Sequence, residues 1–262
     1  MPALLDQVQI CAYLRRLGLT EGIKTNLADL NRLLFAHLTH VPFDSLDVWG
    51  GGICPSLDVQ DLYTKIVVNG RGGYCFEQNT LFRVLLNSLD FNAYQAVACL
   101  LNADYTPQPP AHNVIICYLD GKKYLLDVGF GGPVPYEALE LTPHTSGKFR
   151  LSEKEGLYVL ERSEEDGWRP FIQFRDIVAE ITDLIPLNFY ISQNPNSHFR
   201  HIIHLNQRKA DGSTYVLDGT EFKIHKNGQV QTQRLCSIEE LKQILREYYG
   251  IDPANCILRD TL

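Results

Sequence analysis

Apolar residues recur three or four apart along the first ninety residues and two apart beyond them. In "DQVQICAYLRRLGL", Val8, Cys11, Leu14 and Leu17 share one helical face, and Gly18 supplies a stop. "TNLADLNRLLFAHLTHV" repeats the period through Leu27, Leu30, Leu33, Leu34 and Leu38, with Thr25 or Asn26 as cap. "SLDVQDLYTKIVV" predicts a third helix capped at Ser56 or Asp58. A fourth starts at Cys75 and runs through Phe82, Leu85, Leu86 and Leu89. From residue 91 the strands "AYQAVACLL", "HNVIICYLD", "KKYLLDVGF", "GLYVLER" and "PFIQF" are parted by Gly, Pro and Asp, with the Pro-rich loop "NADYTPQPPA" among them. The last third mixes strands ("STYVLD", "EFKIHKNGQVQTQR") with a closing helix, "SIEELKQILREYYGI", where Ser237 and Glu240 fit a capping box. Helices first, then a β segment, then a small α/β segment predict the α+β class.

Composition narrows the function. The chain has 262 residues, 45% of them apolar, so it can bury a sizeable core. Its net charge of −7 argues against nucleic acid or an acidic membrane surface as main partner. The seven cysteines are scattered without a CxxC pair, which makes a poor disulfide framework and a poor zinc site. The N-terminal stretch lacks the basic region of a secretory signal, and runs such as "NVIICYL" are too short to span a bilayer. A reducing, cytoplasmic setting is expected.

One cysteine stands apart. Cys75 lies where the helical pattern begins, directly behind Gly72-Gly73-Tyr74. Glycines permit a tight, φ-permissive turn and a close approach by another chain. A thiol at a helix start meets the positive end of the macrodipole and free N–H groups, which favour thiolate and can bind an oxyanion beside the sulfur. The plain alternative is a small buried hydrophobe, and that reading is kept for the other six cysteines.

A cysteine nucleophile needs a histidine, and the histidine needs an orienting group. In "HNVIICYLDGKKYLLDVGFGG" two apolar strands flank Asp120-Gly121, a strong hairpin signal. If those two residues form the loop, Leu119 pairs with Lys122 and Val114 lies opposite Asp127. His112 is two residues from Val114, so it shares a face with Asp127 as a diagonal neighbour. A slip of one residue would separate them. His37 and His40 look like packing or surface residues. The cluster "HFRHIIH" matches no zinc spacing and predicts an exposed strand or loop.

With these residues placed, the sequence resembles the arylamine N-acetyltransferase family nearly end to end. The matching blocks are "VPFDSLDV", "RGGYCFEQN", "HNVIICYLDGKKYLLDVGFGGP" and "NPNSHF". The resemblance implies a helical bundle over residues 1–90, a β-barrel over 91–199 and an α/β lid over 200–262, the first two forming a core like that of papain-type proteases and transglutaminases. It implies acetyl-CoA as acyl donor, an arylamine or arylhydrazine as acceptor, and no metal. Cys75 would be the nucleophile, His112 its base and Asp127 the orienter. Arg71 would pair with Asp44 and brace the turn. Phe43 and Phe130 would line the acceptor pocket, and Gly129 and Gly131 would let the backbone pass close to the donor. Asp44, Ser45 and Ala111 depart from the family's usual Glu, Asn and Thr. Residues 200–262 are expected to cover the acyl-enzyme against water. Rival readings are a thioesterase- or protease-like hydrolase on the same triad, an amide synthase closing a macrolactam, and a binding module without catalysis. The sequence leaves the oligomeric state open.

Overall fold

The computed structural model describes residues 4–262. It opens with helices α1 (Gln7–Arg16) and α2 (Leu27–His40), a two-residue strand β1 (Phe43–Asp44), short helices α3 (Leu46–Gly51) and α4 (Val59–Tyr63), and α5 (Cys75–Ser88). The barrel strands follow: β2 (Asn92–Leu100), β3 (His112–Leu119), β4 (Lys122–Leu126), β5 (Leu139–Glu140), β6 (His144–Ser146), β7 (Phe149–Lys154), β8 (Leu157–Glu164) and β9 (Gly167–Arg175). Next come α6 (Ile181–Gln193) and α7 (His198–His201), strands β10 (His204–Arg208), β11 (Thr214–Asp218), β12 (Glu221–Lys226) and β13 (Gln229–Arg234), and α8 (Ile238–Ile244).

Local chemistry sets the helix starts. Asp6 and Gln9 exchange a reciprocal capping box at α1. Asn26, not Thr25, caps α2 by accepting from the Asp29 amide at 2.8 Å, and Asp58 caps α4. At α8 the Ser237 hydroxyl caps the Glu240 amide, but the Glu240 carboxylate turns to the Cys236 amide, so the box is only half made.

Two antiparallel sheets organise the chain. The larger is a nearly closed barrel in the order β5-β4-β3-β2-β9-β8-β7-β6. The smaller has the order β1-β10-β11-β12-β13. The main core joins bundle to barrel, with Leu30, Leu33, Phe82 and Leu85 in one cluster with Val114, Ile116, Leu126 and Ile172. His37 lies in it, fully buried against the Tyr13 hydroxyl at 2.9 Å, and burial drags its imidazole down to about 3. A second cluster packs α3 and α8 on the smaller sheet through Leu46, Trp49, Leu217, Phe222 and Leu241.

Three features differ from the sequence pattern. Helix α6 fills a stretch expected to be barrel. The histidine cluster forms the short helix α7 before entering β10, and no group of His, Cys, Asp and Glu among the described residues is arranged to hold a metal. The small sheet takes its first strand from the N-terminal segment: Phe43 pairs with Asn206 and Asp44 with Leu205. The last third is therefore woven into the helical segment rather than laid over it. Among the described residues, no helix is long and apolar enough to cross a membrane.

Candidate active site

The turn before Cys75 is built for close approach. A Cβ on Gly72 would sit 2.0 Å from the Pro42 carbonyl oxygen, and one on Gly73 would sit 2.9 Å from the Glu77 Cβ. Neither glycine has a positive φ. The expected φ-permissive turn is thus a matter of space, not of left-handed backbone. The space lets Gly73 bridge to Phe43 and its carbonyl accept from the Asp44 amide at 3.0 Å.

Beneath the turn lies an ion cluster. Arg71 donates to Asp44 at 2.8 Å, to Asp47 at 2.9 Å and to the Asn255 carbonyl at 2.8 Å. The shorter Asp44 side chain therefore reaches its partner, and its other oxygen accepts from the Leu46 amide at 2.7 Å. Lys65 joins Asp47 to Glu77, at 2.6 Å each. Glu77 closes the helix start by accepting from the Tyr74 amide at 3.1 Å. Burial pushes the Glu77 carboxyl up to about 7, against the pull of Lys65.

Cys75 begins α5, where the first helical carbonyl, Tyr74 O, accepts from Gln78. The amides of Cys75 and Phe76 precede that bond and belong to the orphan donors of the first turn. The thiol donates to the Ala111 carbonyl oxygen at 3.7 Å, the backbone next to His112. The His112 Nε2 donates to Asp127 Oδ2 at 2.6 Å. The three residues are 4%, 2% and 5% exposed, so water has little access to any of them. Burial alone would pull the imidazole down. The Asp127 charge and hydrogen bond, with the Cys75 contact, outweigh it and push His112 up to about 10.

The hairpin register is the expected one. Asp120 and Gly121 both carry positive φ, Leu119 pairs with Lys122, and the ladder runs back to Ile115 and Leu126. Asp127 is the first residue past the ladder, and a side chain from α5 holds it there. Asn79 Nδ2 donates to Asp127 Oδ1 at 3.0 Å and to the Asn113 carbonyl at 2.7 Å, while its oxygen accepts from the Val128 amide at 2.9 Å. Asn79 was missed in the sequence. The available signal was a run of polar residues, Glu77 to Thr80, inside a helix buried on all faces.

The aromatic and glycine candidates surround these groups. Phe130 stands edge-on to His112 at 5.8 Å and packs on Phe171 at 5.4 Å. Phe43 packs on Phe199 at 5.7 Å, and Phe199 also meets Tyr74. A Cβ on Gly129 would lie 2.5 Å from the Cys75 Cα, and one on Gly131 would lie 3.1 Å from the His204 ring and 3.3 Å from Phe43. What these glycines admit in the structure is the nucleophile's own backbone and two side chains. Helix α6 closes the outer side: the Tyr74 hydroxyl donates to the Asn188 side chain, and Leu184 packs in the cluster that holds Cys75.

Comparison with known proteins agrees with this architecture. A family model described as N-acetyltransferase matches residues 26–256. The arylamine N-acetyltransferase of Escherichia coli strain K12 is 30% identical over 251 residues, covering 91% of this chain and 87% of that protein. The solved Mycobacterium smegmatis arylamine N-acetyltransferase superposes with a TM-score of 0.88 at 26% identity, covering 96% and 94% of the two chains. That of Mycobacterium marinum, solved in complex with CoA, gives 0.86 at 27% identity, covering 94% of each.

Proposed function

Because the chain belongs to the N-acetyltransferase family, we propose that Cys75, His112 and Asp127 carry an acetyl group from acetyl-CoA to the nitrogen of an arylamine or arylhydrazine. The observation that carries the assignment is the His112 ring, bound to Asp127 at 2.6 Å through Nε2, with the Cys75 thiol 3.7 Å from the carbonyl of the preceding residue, Ala111.

The reaction runs in two halves. The Cys75 sulfur, its proton on His112, attacks the thioester carbonyl. The tetrahedral oxyanion forms beside the first-turn amides of α5, which are already oriented for it. As the C–S bond to CoA breaks, the imidazolium returns a proton to the departing thiolate, leaving acetyl-Cys75. The amine nitrogen then attacks the new thioester, His112 takes a proton from it, and the thiolate leaves as the amide forms. Thioester exchange is nearly isoenergetic, and amide formation draws the second half forward. A cysteine suits this sequence better than a serine.

Phe43 and Phe130 offer flat apolar faces to the acceptor ring, and Arg71 with Asp44 holds the nucleophile turn rigid. A reducing, cytoplasmic compartment suits an enzyme that must keep a reactive thiol free. The deciding experiment is intact-protein mass spectrometry with acetyl-CoA alone, then with an aromatic amine. The expected result is one added acetyl group, mapped to Cys75, that disappears as acetylated amine forms. Loss of the acetyl group to water at the same rate with and without amine would replace this reading with a hydrolase.

A further inference from the structure

Strand β10 touches both of the aromatic segments that flank Cys75, the one with Phe43 and the one with Phe130. Along its backbone it pairs with Phe43 and Asp44. From the same strand two side chains reach the loop that carries Phe130. His204 Nε2 donates to the Gly131 carbonyl at 2.9 Å, and Arg208 donates to the carbonyls of Val134, at 2.7 Å, and Gly132. The Arg208 guanidinium is buried and lies 5.0 Å from the centre of the Tyr136 ring. Three carbonyls of the loop 131–134 thus depend on one strand from the last third of the chain.

His204 is the piece between the two sides. Its ring stands edge-on to Phe43 at 5.5 Å and touches the backbone at Gly131, where a Cβ would come within 3.1 Å of it. Its Nδ1 lies 3.4 Å from Asp218 Oδ1, which fixes the ring's rotation from outside. Resting on the acyl-transfer reading above, we infer that His204 is a specificity-determining residue: its imidazole is the spacer between the Phe43 wall and the Phe130 loop, and it sets the ring size of the acceptor amine. Close-packed interiors transmit the loss of a side chain to their neighbours. Removing the spacer loosens both walls around a small ring, whereas a larger ring fills part of the vacated volume.

The test compares para-chloroaniline, with one ring, and naphthylamine, with two fused rings, in the full-length protein. His204→Ala is expected to raise the KM for the one-ring amine about fivefold, the scale of a lost aromatic contact, and to raise that for the two-ring amine less. Acetylation of Cys75 by acetyl-CoA without amine should fall much less than either. His204→Gln keeps a donor for the Gly131 carbonyl and should recover part of the one-ring KM. Equal KM changes for both amines, in variants with unaltered circular dichroism, would overturn the inference. So would a loss of Cys75 acetylation in His204→Gln that matches its loss of amine binding. Absence of acetyl-Cys75 in the unsubstituted protein would instead overturn the acyl-transfer reading, and this inference with it.

Discussion

Asn79 and Asp127, 48 residues apart, hold each other at 3.0 Å one helical turn beyond Cys75. The same amide group also donates to the backbone next to His112 and accepts from the residue after Asp127. One side chain therefore ties the nucleophile helix to both strands that bring the other two groups. Asn79→Ala should leave buried acceptors without a donor, at about 1–3 kcal/mol of stability. It should also slow Cys75 acetylation more than the loss of stability accounts for, as read by stopped-flow acylation at a temperature where the variant is fully folded. Full acylation speed in a folded Asn79→Ala protein would remove Asn79 from the positioning of Asp127.

The His112 imidazole gives a pH prediction with a definite sign. Its folded-state value, about 10, lies above the ordinary 6.5. The stability it contributes is fully present below pH 6.5 and is lost as pH rises through about 10. The rate of Cys75 acetylation should hold across the neutral range and fall on its alkaline side near that upper value. In Asp127→Asn the alkaline fall should move to lower pH, and the rate should drop by ~10⁴, the scale seen when a triad carboxylate is replaced by its amide. An alkaline fall at the same pH in both proteins would contradict the assigned cause.

Phe130 gives a test that separates the two halves of the reaction. Its ring touches His112 and Phe171 but no part of the nucleophile turn through an aromatic contact. Phe130→Ala should raise the acceptor KM, with about 0.5–1.5 kcal/mol of ring stacking lost beyond burial. Cys75 acetylation by donor alone should change less. Equal losses in both halves would indicate a collapsed site.

The Arg71–Asp44 pair is a stability prediction. Both side chains are almost wholly buried and lie 2.8 Å apart, and the Arg71 guanidinium is held above its ordinary range because the nearby carboxylates outweigh its burial. Arg71→Met would strand the buried Asp44 charge, while Asp47 keeps Lys65, and should cost about 3–5 kcal/mol, measured by urea unfolding. A loss under 1 kcal/mol would show that the cluster relaxes or takes in water.

The part of the site that sequence carries best is the part set by local geometry. His112 and Asp127 could be placed together because a two-residue Asp-Gly turn leaves one register, and Asp120 and Gly121 adopt the positive φ that such a turn needs. The start of α5 was readable for a similar reason, although its glycines act through clearance and not through φ. Helix α6 escaped notice because Pro186 interrupts its pattern and because Ile185 and Phe189 are exposed, which blurs the contrast between its faces. Arg208 carried no signal, and His204 was read only as the end of an exposed histidine cluster. Their roles depend on the pairing of β1 with β10, more than 150 residues apart, and no local period records such a pairing.

That pairing, with the bond from Arg71 to the Asn255 carbonyl 184 residues downstream, has a consequence in time. During synthesis the nucleophile turn leaves the ribosome long before the strand and the carbonyl that complete it. A nascent chain that has made α5 and the barrel holds a thiol, an imidazole and a carboxylate, but its brace and one pocket wall are still unmade. Competence for acyl transfer therefore arrives only once β10 and Asn255 have been made, and chains terminated before them should not discharge acetyl thioesters.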